Sequence, residues 1–250
     1  MRWMFKILGP GILAISQGAV LAGEAQVAVA ANFAEPIKAI AAVLYKTTGH
    51  TLKITLGATG NLYAQIRNGA PFDVLLAADT RTPERLEADG LAQPSSRFTY
   101  AIGKLVLWSA DPSRVDAQGK VLKAPNLGKV AYANPRIAPY GAAAVQVMER
   151  LGMTAALTPR LVQGESIGQT FNFAYSGNAD VGFVALSQVL EGGKLKSGSM
   201  WVIPQNLYDP IAQGAVVLQR AAGNEAAQAL ITLLKSPNIK ALIRSYGYEL

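Results

Sequence analysis

Thr55-Leu56-Gly57-Ala58-Thr59-Gly60-Asn61-Leu62 is the stretch on which the reading of this chain turns. A short β-branched and apolar run breaks at Gly57 and resumes with helix-like spacing, and Thr59 stands where an N-cap belongs. The first N–H groups of a helix have no partner within it, and the helix dipole adds positive charge there. A Gly-rich turn feeding a helix is therefore a ready anion site. Gly57-Ala58-Thr59-Gly60 fits neither the dinucleotide nor the Walker spacing, and alone it reads more simply as a strand-to-helix turn capped by Thr59.

The same design recurs outward from it. Upstream, 27–31 reads as a buried strand, followed by a helix with Pro36 in its first turn, Ile37, Ile40, Ala41 and Leu44 at helical spacing, and Gly49 as its cap. Downstream, 52–56 is a strand, the next helix ends near Gly69, and 72–78 is a third strand. Thr82-Pro83-Glu84 then opens a helix that closes at Gly90. Strands alternating with helices at this pitch argue for parallel α/β sheets.

Residues 98–108 form a longer β-rich run, the expected crossing between two lobes, and 112–128 reads as loop. A second β/α series follows, with strands at 129–133, 160–163 and 180–184. Its helices run from the Pro139 turn to Leu151, capped by Gly152, and from the Ser166 turn to about Tyr175. Residues 214–219 are the expected return crossing, and helices at 224–235 and 237–246 close the chain.

Composition narrows the function classes. The chain has 250 residues, 50% hydrophobic and 16% charged, enough to bury a sizeable core. Arg2 and Lys6 precede an apolar run at 7–21 and small residues at Ala22, Gly23 and Ala25, the pattern of a secretory signal peptide cleaved after Ala25 or, alternatively, after Ala22. The run is short of the roughly 20 apolar residues of a spanning helix and contains Gly9, Pro10 and Gln17. Removing 1–25 leaves 21 basic and 15 acidic residues, a net charge of +6 that favours anionic ligands. No dense Lys/Arg run or basic stripe with aromatics points to nucleic acid. With no cysteine, disulfides, thiolate catalysis and Cys-ligated metals are excluded.

Four turns thus share one plan, strand, then small or polar residue, then helix start: Ala31-Asn32, Thr59-Gly60, Pro139-Tyr140-Gly141 and Ser166-Ile167-Gly168. In open α/β sheets, ligands bind beyond the carboxyl ends of the strands, where such turns project. If two lobes face each other, the four starts converge on a site rich in donors, suited to a fully ionised oxyanion.

The segments Val29-Ala-Ala-Asn-Phe33, Gly57-Ala-Thr-Gly60, Asn68-Gly-Ala-Pro-Phe-Asp73, Phe98-Thr-Tyr-Ala-Ile-Gly-Lys-Leu-Val-Leu-Trp-Ser109, Asn134-Pro-Arg-Ile-Ala-Pro-Tyr-Gly141 and Ala179-Asp-Val-Gly-Phe-Val184 resemble the periplasmic molybdate-binding proteins of molybdate ABC transporters, which are type II solute-binding proteins. The resemblance covers essentially the whole mature chain. It implies an α/β, two-lobed periplasmic-binding-protein fold of type II, each lobe a mostly parallel sheet flanked by helices, with the ligand cleft between the lobes. After a signal peptide at 1–25, lobe I comprises 26–102 and 208–250, and lobe II comprises 103–207.

The resemblance further implies a periplasmic, monomeric, non-enzymatic protein that captures molybdate or tungstate and delivers it to a membrane permease. No cofactor, no nucleic acid and no direct protein–metal bond are implied. By position, the oxyanion is held at Ala31 and Asn32 in the first turn, Thr59 in the second, the amide of Tyr140 in the third and the amide of Ile167 in the fourth. Two departures stand out. Ala31 replaces the Ser or Thr often found in the first turn, leaving the Asn32 amide, helped by its side chain, to compensate. Ala185 stands where some members place a ligating Tyr.

Other readings stay in view. Sulfate, phosphate or ferric ion suit the same architecture, the last through phenolates among the tyrosines. Gly164-Glu165-Ser166-Ile167-Gly168 matches a nucleophile elbow and raises a secreted serine hydrolase, but the one histidine, His50, lies upstream of the serine. His50 is expected in a surface turn. Asp73, Asp79, Glu165 and Asp180 are expected to cap or face solvent, and Trp108 and Trp201 to pack in the core or hinge.

Overall fold

The structure, a computed structural model, describes residues 22–250. The expected signal segment lies outside the described residues as far as position 21. In chain order the elements are β1 (Glu24–Ala30), a 3-10 turn (Ala31–Phe33), α1 (Ala34–Thr48), β2 (Thr51–Gly57), α2 (Thr59–Arg67), β3 (Val74–Leu76), α3 (Arg81–Ala88) and β4 (Phe98–Gly103). Next come β5 (Leu105–Ser109), β6 (Val130–Ala133), α4 (Pro139–Arg150), α5 (Thr154–Leu157), β7 (Leu161–Gly164), α6 (Ile167–Tyr175), β8 (Val181–Ala185) and α7 (Leu186–Val189). A small hairpin of β9 (Leu190–Glu191) and β10 (Lys194–Leu195) precedes β11 (Ser199–Val202), β12 (Ile211–Val217), α8 (Glu225–Lys235) and α9 (Pro237–Ser245).

Two five-stranded sheets organise these elements, in the orders β2-β1-β3-β12-β4 and β11-β5-β8-β6-β7. Strands joined through helices pair in parallel: β1 with β2 and β3, and β6 with β7 and β8. The strands next to the passages between sheets pair antiparallel, β12 with β3 and β4, and β5 with β8 and β11. This follows from connectivity, because a helical crossover returns the chain to the same edge while a strand arriving from the other sheet runs in reverse.

The sequence pattern explains the packing. In α1, Ile37, Ile40 and Leu44 are buried at helical spacing, and the helix ends where Gly49 takes a left-handed φ of 75°. The central strands β1 and β3 are apolar on both faces, as strands covered on both sides must be. Trp108 and Trp201 are both buried.

Three expectations change. The run 98–108 divides at Lys104, and its halves join different sheets. The return precedes 214–219: β12 already belongs to the first sheet from Ile211, so the chain crosses between Val202 and Ile211. His50 is buried rather than a surface residue, because Gly23 covers it and gives its N–H to His50 Nδ1 at 2.9 Å.

The same edge bears on processing. Glu24 and Ala25 open β1 opposite Thr51 and Leu52, Ala25 is fully buried, and the Gly23 carbonyl accepts from Thr51 N–H. Cleavage after Ala25 would strip this edge and uncover His50, whereas cleavage after Ala22 leaves both whole. Intact-mass measurement of the exported protein is therefore expected to give Gly23 as the first residue. A mature chain beginning at Gln26 would contradict this.

Candidate functional site

The parallel pairs β1/β2 and β6/β7 end level with each other, Ala30 opposite Gly57 and Ala133 opposite Gly164. From these ends run the four turns singled out in the sequence. The structure brings them to one cavity, lined by Ala30, Ala31, Asn32, Gly57, Ala58, Thr59, Ala78, Ala138, Pro139, Tyr140 and Ile167. All five predicted residues are among them, and all five are buried. The space is small, about 10 Å³, which excludes a drug-sized organic ligand.

Three of its lining residues, Thr59, Tyr140 and Ile167, stand at helix starts. Thr59 is the first residue of α2 and not its cap; that place belongs to Ala58, whose backbone is extended. The shift by one residue leaves the Thr59 N–H without an intrahelical partner. The Thr59 Oγ1 accepts from Ala78 N–H at 3.0 Å, which fixes the hydroxyl and leaves its own proton to give. Tyr140 is the second residue of α4 and Ile167 the first of α6, so their N–H groups are likewise unspent within their helices. Gly60 N–H is spent, on Ile137 O of the facing body at 2.9 Å. Its lack of a side chain matters too, since a Cβ there would lie 2.9 Å from Ile137 Cβ.

Asn32 departs from expectation in its side chain. Both protons of its amide are committed, to Gln213 Oε1 at 2.8 Å and Tyr248 Oη at 2.9 Å, so the side chain does not stand in for the hydroxyl absent at Ala31. Its Oδ1 is buried without a partner, and its carbonyl accepts from Ser187 Oγ and Tyr248 Oη. Ala31 faces Gly168 across the gap, where a Cβ on Gly168 would sit 3.4 Å away.

No Asp, Glu, Lys, Arg or His lines the cavity among the described residues. Three buried phenols lie behind it. Burial pushes Tyr100, Tyr140 and Tyr248 well above the ordinary tyrosine range, so all three stay neutral and place no negative charge near an anion. Charge gathers outside instead. A recess of about 260 Å³ that shares Ala138 and Pro139 with the cavity carries Arg81, Arg85, Arg136 and Asp79. On another side, a groove of about 670 Å³ shares Ala31, Asn32 and Gly57 and is walled by Trp108, Phe171 and Tyr175.

The hydrolase elements do not assemble. Ser166 Oγ caps α6 by accepting from Gln169 N–H, and His50 is bonded to Gly23. No cluster of three or more His, Cys, Asp or Glu suited to a metal occurs among the described residues. Of the expected surface or capping acids, Asp73 is buried, where its Oδ2 accepts from Gln26 N–H.

Residues 25–249 match the model of a family described as bacterial extracellular solute-binding protein. The chain belongs to that family. Among relatives, the molybdate-binding protein ModA of Azotobacter vinelandii is 54% identical over 243 residues, covering 97% of this chain and 95% of that protein. The ModA of Rhodobacter capsulatus is 52% identical over 96% and 95%. Among solved structures, the Azotobacter vinelandii periplasmic molybdate-binding protein superposes with a TM-score of 0.88 at 45% identity, covering 90% of this chain and 99% of that one. This solute-binding protein therefore has the two-sheet, mixed α/β architecture of its relatives.

The residues missed by local reading, Gln213, Tyr248, Tyr100 and Ser187, form the polar layer behind the cavity. A glutamine inside the apolar run 211–218 was the visible signal. The layer has a pH signature. Unfolded tyrosines titrate near pH 10, and the folded values lie higher, so stability is complete below about pH 10 and falls as pH rises beyond it. Thermal melts are expected to hold level from about pH 7 to 9 and drop above 10, with part of the phenolate absorbance arising only on unfolding. Ionisation of every tyrosine in the folded protein would contradict this.

Proposed function

We propose that this solute-binding protein captures molybdate, and tungstate with it, in the periplasm and hands it to an ABC permease. The observation that carries the reading is the cavity itself: four strand-to-helix turns from two sheets line one small space with helix-start N–H groups and the Thr59 hydroxyl and no charged side chain. The ligand class comes from relatives more than 50% identical over nearly the full chain that are named molybdate-binding proteins.

The proposed contacts are the N–H groups of Asn32, Tyr140 and Ile167, the hydroxyl and N–H of Thr59, and the Ala31 turn. A dianion leaving water loses solvation worth tens of kcal/mol, which only several charge-assisted bonds offset, each contributing on the order of 1.5–3 kcal/mol. Hydrogen phosphate carries a proton that needs an acceptor, so a shell without a carboxylate and rich in donors disfavours it. Sulfate has the same charge and is the smaller ion, so discrimination against it rests on the spacing of the donors around the ion and not on charge. Ferric ion lacks its ligands here, because the one phenol among the lining residues, Tyr140, is turned to Gln213. Binding requires no acid, base or nucleophile, and we read the protein as a non-enzymatic monomer without a cofactor.

Calorimetry with molybdate, tungstate, sulfate and phosphate tests the assignment. The first two are expected to bind at one site per chain and far more tightly than the others; a response to sulfate equal to that to molybdate would overturn it. Thr59→Val is expected to weaken molybdate binding about ten- to a hundredfold and Thr59→Ser to retain it. Ile167→Pro removes one amide donor at a position that tolerates proline, and is expected to weaken binding without unfolding the protein. Unchanged affinity in both Thr59→Val and Ile167→Pro would place the site elsewhere.

A further inference from the structure

The Tyr140 side chain has a place of its own. Tyr140 lines the cavity with an N–H unspent within α4, while its phenol meets the strands that pass between the two sheets. There the hydroxyl accepts from Gln213 Nε2 at 3.1 Å, and both residues are fully buried. Gln213 lies on β12 at a break in register between Gln213 and Gly214, just after the chain returns from the second sheet. Gly103 ends β4, just before the chain leaves the first sheet. A Cβ on Gly103 would lie 2.0 Å from Tyr140 Oη and 2.6 Å from Gln213 Nε2, so the phenol occupies the space that a side chain there would need.

Gln213 gathers more than this bond. Its Oε1 accepts from Tyr100 Oη at 2.9 Å and from Asn32 Nδ2 at 2.8 Å. A glutamine amide buried in an apolar strand is tolerated only when its polar atoms are paired. Here two partners, Tyr100 and Asn32, belong to the body built on the first sheet, and Tyr140 comes from the second. The first pair lies within that one body. The third bond exists only while the head of α4 is pressed against both passing strands, which is also the arrangement that places the Tyr140 N–H in the cavity.

We infer that the Tyr140 phenol is a positioning residue for the bound anion, locking the turn that carries its own N–H donor to both inter-sheet passages, so that it slows release of the ion without touching it. The inference rests on the anion-binding reading given above. It separates two roles within one residue, a backbone donor to the ion and a side-chain tie to the frame.

Tyr140→Phe removes one oxygen and keeps the ring and the N–H. Stopped-flow release of molybdate, followed by tryptophan fluorescence with excess tungstate as competitor, is expected to be about three- to tenfold faster than in the wild type, with association changed less than about twofold. That is the range expected for one neutral hydrogen bond. Melting temperatures taken with and without molybdate provide the control. The loss is expected to be larger with the anion than without it.

An unchanged release rate, or an equal fall in melting temperature in both conditions, would overturn the inference. The wild type's own response separates the two readings. If it holds sulfate and not molybdate, the ligand assignment fails, and the comparison of variant with wild type, read by release of sulfate, still decides the role of Tyr140.

Discussion

A doubly charged ion held away from water, with no counter-charge beside it, is tolerated only if nearly every lone pair on its oxygens meets a donor. Helix starts supply such donors without side-chain entropy, because their N–H groups are fixed and otherwise unspent. One sheet edge presents two such starts side by side, at the level ends of a parallel strand pair. Surrounding an ion takes more, and the chain provides them by building a second sheet whose paired strands β6 and β7 end against those of β1 and β2. The two passages of chain between the sheets let turns from both line one cavity.

Bringing two such edges together makes small residues a necessity. Ala30, Ala31, Ala58, Ala78 and Ala138 line the cavity, Gly60 lies directly under Ile137, and Gly168 faces Ala31. Behind this tight layer the polar groups are held by one another. Gln213 joins Tyr100, Asn32 and Tyr140, while Tyr248 and Ser187 close on the Asn32 carbonyl. Neutral phenols suit this place, since ionised carboxylates would repel the ion and lysines would replace geometric selection with bare charge.

Much of this was legible in the sequence, for a local reason. Strand, turn and helix start are neighbours in the chain, so the four turns are visible from spacing and turn chemistry and the alternation of strands and helices points to an α/β fold, while the family resemblance is what picks out Thr59, Tyr140 and Ile167 within those turns. What escaped depends on distant partners. Asn32 and Gln213 are 181 residues apart, and Asn32 and Tyr248 are 216 apart, so the side-chain commitment of Asn32 was invisible. The division at Lys104 was hidden because buried strands on both sides make one apolar run. The cap at Ala58 in place of Thr59 shows the limit of residue preference, since an extended backbone at an alanine serves as a helix entry when the next hydroxyl is needed by Ala78.

In the proposed function, N–H groups at helix starts from both sheets hold one ion together. Amide nitrogen–proton correlation spectra recorded during a molybdate titration read those groups one by one. The amides of Asn32, Thr59, Tyr140 and Ile167 are expected to move downfield together and saturate at one equivalent. Shifts confined to the residues of one sheet, or to the arginine recess around Arg81 and Arg136, would contradict it.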